Sequence, residues 1–206
     1  TLNRRGSAVA RFAHISDLHF GRSAENDARG RRLCETLVES GLEQILLTGD
    51  VTHRGLAREL ATFEDVFAPL LAEGRLIVVP GNHDCLGDDV SQALMSGPRV
   101  QTTIRPGLFI VRVNSTAPHN RSWLNGHGSL DEGDLAAIDA ALAAAPPHHL
   151  VIVTLHHHVL PMPEEHAVER LSSWLGFQFT SELRRGRELL ARIRGRCDLV
   201  LHGHRH

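Results

Sequence analysis

RLIVVPGNHD, residues Arg75 to Asp84, is the stretch whose reading decides the fold. A short apolar run rich in β-branched residues suits a strand buried on both faces, and it breaks off into glycine, an amide, an imidazole and a carboxylate. Four other stretches repeat this form. VARFAHIS (Val9 to Ser16) precedes Asp17-Leu18-His19, and QILLT (Gln44 to Thr48) precedes Gly49-Asp50. LVIVTL (Leu150 to Leu155) precedes His156-His157-His158, and DLVLH (Asp198 to His202) precedes Gly203-His204-Arg205-His206. Strand ends in open α/β sheets converge on one edge, so residues far apart in the chain are expected to meet in a single site.

Between these runs, and a further strand over Leu108 to Val113, lie segments with helical spacing: Arg29 to Ser40, Ala57 to Ala72, Asp131 to Ala144 and Ser181 to Ile193. The alternation predicts an α/β protein with helices covering its sheets. Ser129 with Glu132 has the form of a capping box, Pro146-Pro147 stops the helix that follows, and Gly41 and Gly74 stand where helix C-caps are expected. Without an internal repeat or a linker, residues 1–206 read as one domain. Val159 to Thr180, with spaced prolines and then Trp174, Phe177 and Phe179, fits core packing, a cover over the site or a subunit contact.

A formal charge of −2 with 22% charged and 42% hydrophobic residues argues against coating nucleic acid or an anionic membrane. No apolar run reaches transmembrane length and Thr1 to Gly6 lacks a secretory core, which makes cytoplasmic location the expectation. Cys34, Cys85 and Cys197 have no CxxC spacing and read as reduced thiols, with Cys85 directly after the third cluster. Of the 15 histidines, His119, His127, His148, His149 and His166 stand in polar sequence and are expected to be solvated. Oligomeric state is left open, a homo-oligomer included.

The chemistry lies in the clusters. Asp17 and His19, one residue apart, face the same side if the backbone is extended and can then share one ion, although a lone DxH is weak. Asp50 can bridge two ions or simply cap a turn. Asn82 offers a neutral carbonyl oxygen; His83 followed by Asp84 has the makings of a general acid or a charge stabiliser oriented by a carboxylate. His156, His204 and His206 complete a shell, with the same-side argument repeated for His204 and His206. In His156-His157-His158 alternation sends the middle ring the other way, so at least one of the three is structural. Together the clusters supply the donors that two adjacent divalent ions need.

The ordered set DxH, GD, GNH(D/E), H and GHxH resembles the calcineurin-like metallophosphoesterase superfamily over nearly the whole chain. SDLHFGR (Ser16 to Arg22) and GDVTHRG (Gly49 to Gly55) look like its bacterial class III cyclic-nucleotide phosphodiesterases and glycerophosphodiesterases. The resemblance implies a four-layer α/β/β/α sandwich with two mixed β-sheets and two divalent ions, Mn, Fe or Zn. One ion would take Asp17, His19, Asp50 and His206; the other would take Asp50, Asn82, His156 and His204. His83 would stay unligated and face the phosphate, with Asp84 holding its orientation. Hydrolysis of a small phosphodiester such as a cyclic nucleotide, by attack of a metal-bridging hydroxide, is the implied activity. A phosphomonoester, a glycerophosphodiester, a nucleic acid end and a non-catalytic scaffold are the alternatives, and loops such as Asn114 to Gly128 would choose among substrates. Family members usually continue past GHxH with strands that finish the second sheet, so a chain trimmed from a longer one is expected; if it is not trimmed, the second sheet is incomplete and the fold less stable than the family norm. His158 stands where proline is common, which bears on the loop after His156.

Overall fold

The computed structural model describes residues 11–123, 125–160 and 183–204. Three strands, β1 (Phe12–Ile15), β2 (Gln44–Thr48) and β3 (Leu76–Val79), form a parallel sheet in that order. A second sheet runs β4 (Val100–Arg105), β5 (Leu108–Val113), β7 (Leu150–Thr154), β9 (Leu199–Leu201), antiparallel at β4–β5 and parallel elsewhere. Among the described strands, therefore, only the second sheet is mixed. A two-residue pair, β6 (Gly128–Ser129) with β8 (Leu183–Arg184), lies apart from both.

Side-chain alternation builds the layers. In β2 Ile45 and Leu47 point to one core and Leu46 to another; β3 divides Val78 from Ile77 in the same way. On the second sheet Leu108, Ile110 and Ile152 join Leu46 and Ile77 in a core between the sheets, whereas Phe109, Val111, Val151 and Val153 face outward. Period-two alternation with both sets apolar is what a strand covered on both sides requires. Helices α1 (Ala24–Glu39) and α2 (Ala57–Ala72) cover the first sheet through Leu37, Phe63, Phe67 and Leu70. Helices α4 (Glu132–Ala143) and α5 (Gly186–Ile193) cover the second through Leu135, Ile138, Leu189 and Ile193, and a short α3 (Ser91–Leu94) precedes β4. The order is helix, sheet, sheet, helix.

Phe20, Phe63 and Phe67 pack edge-on or stacked under the first sheet, each fully buried ring contributing roughly 1.5–3 kcal/mol. Gly30 admits this cluster: a Cβ there would lie 2.6 Å from Phe20 Cζ. Between the sheets Arg112 donates from Nε to the Val78 carbonyl of edge strand β3 at 3.1 Å, a polar tie between two layers otherwise held by apolar contact.

Several boundaries differ from expectation. α1 begins at Ala24, because Ser23 caps it by accepting from Asn26 N at 3.2 Å. α4 is capped by Asp131 rather than Ser129: Asp131 accepts from Asp134 N at 2.8 Å while Asp134 accepts from Asp131 N at 3.0 Å. Leu183 and Arg184 pair as a strand, so α5 starts at Gly186. Gly41 and Gly74 do follow helix ends, with φ of 61° and 63°. Residues 161–182 of the segment expected as core, cover or contact lie outside the described residues. Among the described residues no helix is long and apolar enough to cross a membrane.

Candidate metal centre

The strands of the first sheet end side by side. Asp17 and His19 follow β1, Asp50 follows β2, and Asn82, His83 and Asp84 follow β3; His156 and His204 arrive from β7 and β9 of the second sheet. Cross-links register the two edges, Asp17 N donating to Gly49 O at 3.1 Å, His19 N to Asp50 O at 2.9 Å and Gly203 N to His156 O at 3.0 Å. His206 lies outside the described residues.

Asp17, His19, Asp50 and His204 occupy left-handed backbone, with φ of 58°, 47°, 52° and 80°. The extended-strand argument for Asp17 and His19 therefore fails, and for His204 likewise: a reversal of φ, not strand alternation, aims these side chains. Such conformations cost on the order of 1–3 kcal/mol each and cluster at functional sites. Glycines make room for the turned side chains. A Cβ on Gly49 would lie 2.5 Å from His156 Nδ1, and one on Gly81 or Gly203 would run into the carboxylates of Asp50 or Asp17.

His156 shows what the arrangement demands. Its Nδ1 lies 2.8 Å from the Thr48 carbonyl, which can only accept, so Nδ1 carries hydrogen and a neutral ring has its lone pair on Nε2. That Nε2 faces Asn82 Oδ1 at 3.1 Å, His204 Nδ1 at 3.1 Å and Asp50 Oδ1 at 3.4 Å. With Nδ1–H of His156 committed to that carbonyl, its Nε2, Asn82 Oδ1 and Asp50 Oδ1 are three acceptors that repel unless a cation sits among them, and the Nδ1-unprotonated tautomer of His204 adds a fourth lone pair. On the other side of Asp50, His19 Nε2 and His83 Nε2 lie 3.8 and 3.9 Å from Oδ2, and Asp17, His19 and Asp50 bring ligand atoms together. This oxygen and imidazole set, cradled by glycines, fits divalent metal.

Without metal a proton fills that role. Burial opposes charge on His156, but Asp50 chiefly, with Asp17 and the Thr48 carbonyl, raises it to about 9; burial, then His156, lowers His204 to about 3. Burial also opposes ionisation of Asp50, yet the imidazoles of His156, His83 and His19 hold its carboxyl below the usual range. Metal-free native protein thus keeps a proton on His156 that the unfolded chain releases near its ordinary 6.5. That contribution to stability is full below pH 6.5 and is lost as pH rises through about 9. Chelator-treated protein is expected to melt at falling temperature across this window, and His156→Gln to flatten the fall; a slope that survives the substitution would place the proton elsewhere.

Asp84 does not orient the His83 ring. Its carboxylate is fully buried and accepts from Thr52 N at 2.8 Å, Thr52 Oγ1 at 2.7 Å, Gly81 N at 2.9 Å and Val51 N at 3.3 Å. It ties the turn after β2 to the turn after β3. Burial and the Asp50 charge push it up to about 6, against the donors aimed at it. The His83 ring is set instead by the His53 carbonyl, 2.7 Å from Nδ1, and His83 N donates to Asp50 Oδ1 at 2.9 Å. His53 had no role in the sequence reading, because a backbone carbonyl carries no residue signal.

The three consecutive histidines part ways. His156 enters the acceptor cluster. His157 is neutral, its charge opposed by burial, His156 and His204; its Nε2 donates to Gly126 O at 3.0 Å and its Nδ1 accepts from Ser115 Oγ at 2.8 Å. With both nitrogens engaged, His157 braces the loop before β6. His158 is buried with its ring against His202, centroids 4.6 Å apart. His119 and His127, expected to be solvated, stack at 3.9 Å in that same loop. Cys34, Cys85 and Cys197 are free; the Cys85 thiol, raised to about 11 by burial, lies 3.7 Å from the Gly81 carbonyl.

A helix–sheet–sheet–helix sandwich with an Asp, His and Asn cluster where its strands end defines the class of the metallophosphoesterases. Residues 10–206 match the calcineurin-like phosphoesterase family, and the chain belongs to it. The family is dependent on a dinuclear metal centre, and the chain accordingly falls among the metal-dependent phosphoesterases. A probable cyclic nucleotide phosphodiesterase of Vesicomyosocius okutanii subsp. Calyptogena okutanii is 24% identical over 71 residues, 34% of this chain and 30% of that relative. The match thus spans under a third of that protein's length. Similar folds occur in a dimetal phosphatase from Danio rerio (TM-score 0.53, 16% identity, 73% of this chain and 70% of that one). They also occur in a purple acid phosphatase from yellow lupin, Lupinus luteus (0.61, 15%, 97% and 38%), and in a phosphopantetheinyl hydrolase from Mycobacterium tuberculosis (0.52, 15%, 97% and 84%). At these identities they speak for the fold alone.

Proposed function

We propose that the protein hydrolyses a small phosphodiester, with a cyclic nucleotide as the leading candidate, at a dinuclear metal centre. The observation that carries this reading is the convergence of lone pairs from His156, Asn82, His204 and Asp50, with a second set from Asp17 and His19 across the same carboxylate. One ion is assigned to Asp17, His19, Asp50 and His206, the other to Asp50, Asn82, His156 and His204. When bound, two such ions supply Lewis acidity to the phosphoryl oxygens and make water nucleophilic near neutral pH.

The remaining work belongs to side chains. Asp50 separates the two ligand sets and neutralises charge between them. His83, anchored through Nδ1–H to the His53 carbonyl, presents Nε2 towards the centre; as the doubly protonated imidazolium it gives the Nε2 proton to the departing alkoxide and is left as the neutral Nδ1–H ring. Asp84 keeps the Asp50 and His83 turns in register from below. The similarity to a probable cyclic nucleotide phosphodiesterase supports a diester over a monoester.

Metal content per chain after manganese reconstitution, measured beside hydrolysis of bis(p-nitrophenyl) phosphate, cyclic AMP and a phosphomonoester, tests the proposal. Two ions and a diester preference of tenfold or so are expected. A monoester preference would move the assignment to a phosphatase, and metal without turnover on any of them would leave a scaffold.

A further inference from the structure

Trp123 is 57% exposed, the most exposed large apolar side chain among the described residues and the one aromatic in that group; the rest are aliphatic. It does not stand apart from the chemistry. Its ring centroid lies 5.0 Å from that of His83 at 89° and 5.6 Å from that of His53 at 66°. His83 in turn lies 4.6 Å from His19, so an aromatic row leads from the metal-ligand cluster outward and ends on an exposed indole.

The loop that carries it is held on both sides. Asn120 accepts from Ala117 N at 2.7 Å and donates through Nδ2 to Asn125 O at 2.6 Å, closing the chain around residue 123. Arg121 pairs with Asp89 at 2.8 Å, and His157 holds Gly126 from beneath. Gly126 also approaches the centre, a Cβ there lying 3.7 Å from Asn82 Nδ2 and from His204 Cε1. An indole kept in water at a braced position beside His83 leaves apolar surface unburied until something planar covers it.

We propose that Trp123 is a specificity-determining residue: a substrate whose phosphate sits at Asp50 and His83 lays a planar aromatic substituent, a nucleobase or an aryl group, against its indole. This rests on the phosphodiesterase reading and narrows it to diesters with an aromatic group near phosphorus, at the expense of glycerophosphodiesters. Stacking on an aromatic side chain is tolerant of base identity, so the subsite would favour nucleotides without choosing strongly among them.

The chain has two tryptophans and no tyrosine, so Trp174→Phe leaves fluorescence that reports Trp123 alone. In manganese-loaded protein of that background, adenosine 5′-monophosphate is expected to quench it and glycerol 3-phosphate to leave it unchanged. As inhibitors of bis(p-nitrophenyl) phosphate hydrolysis, the nucleotide should weaken about tenfold in Trp123→Ala and glycerol 3-phosphate by less than twofold, with Trp123→Phe restoring most of the difference. Equal effects on both ligands, or a fall in melting temperature with no ligand discrimination, would overturn the proposal and make Trp123 a packing residue. If the parent protein hydrolyses no diester, the quench alone decides: saturable quenching by the nucleotide keeps the aromatic subsite while the reaction assignment fails, and its absence removes both.

Discussion

Asp50→Ala is expected to lose most of the bound metal and at least roughly a thousandfold in turnover, the largest effect of any single substitution in this chain. Its carboxylate is buried at the centre of the cluster, Oδ1 3.4 Å from His156 Nε2, Oδ2 3.8 Å from His19 Nε2 and 3.9 Å from His83 Nε2. Removing it takes away the one anion placed between the two ligand sets and leaves a group of buried imidazoles facing one another. It also releases the His83 amide, which donates to Oδ1 at 2.9 Å. Asp50→Asn separates the two losses, since an amide oxygen still accepts from His83 N but brings no charge. Metal analysis and turnover are expected to fail in both variants, whereas the melting temperature of metal-free protein should drop further for alanine. Two ions retained in either variant would remove Asp50 from the bridging position.

The parts of the structure readable in the sequence are those fixed by local pattern. β2 and α2 stand over the residues expected of them, Gln44–Thr48 and Ala57–Ala72, because a short run with an aliphatic centre and a helical stripe each leave little choice. β4 carries no continuous apolar run, because Val100–Arg105 lies at a sheet edge with every position half-buried or exposed, although Pro106-Gly107 ahead of β5 is a two-residue turn signal. The start of α1 at Ala24, ahead of the expected Arg29, is masked because its first turns are polar and interrupted by Gly30, which admits the Phe20 ring from elsewhere in the fold. At the site, residue types and order were legible, since carboxylates and imidazoles after strands are a chemical signal. Their aim was not, because Asp17, His19, Asp50 and His204 turn through left-handed backbone that no spacing rule anticipates. The roles of Asp84 and His53 were hidden for a related reason: each acts through main-chain groups, one by gathering backbone N–H donors and the other by offering a carbonyl.

His83→Ala is expected to behave in the opposite way from Asp50→Ala, keeping its metal while losing turnover. Its ring lies outside the acceptor cluster formed by His156, Asn82 and His204, and its Nδ1 is already engaged by the His53 carbonyl. A group that stands near the centre and that the proposed assignment leaves out of the ligand set, with one nitrogen anchored and the other 3.9 Å from Asp50 Oδ2, is placed to transfer a proton. General acid catalysis of this kind contributes about 10²- to 10⁴-fold when the leaving group is a poor one. An alkoxide such as the departing 3′-oxygen of a cyclic nucleotide is strongly basic and needs that proton, whereas p-nitrophenolate departs readily without it. The loss in His83→Ala should therefore approach the full range on cyclic AMP and shrink to about tenfold or less on bis(p-nitrophenyl) phosphate. His53→Ala supplies the control for orientation: the carbonyl that holds Nδ1 belongs to the backbone and survives the substitution, so the leaving-group dependence should stay as in the parent. Equal losses on both substrates would recast His83 as a group that stabilises phosphoryl charge rather than one that gives up a proton, because charge on the phosphoryl oxygens develops whatever the leaving group is.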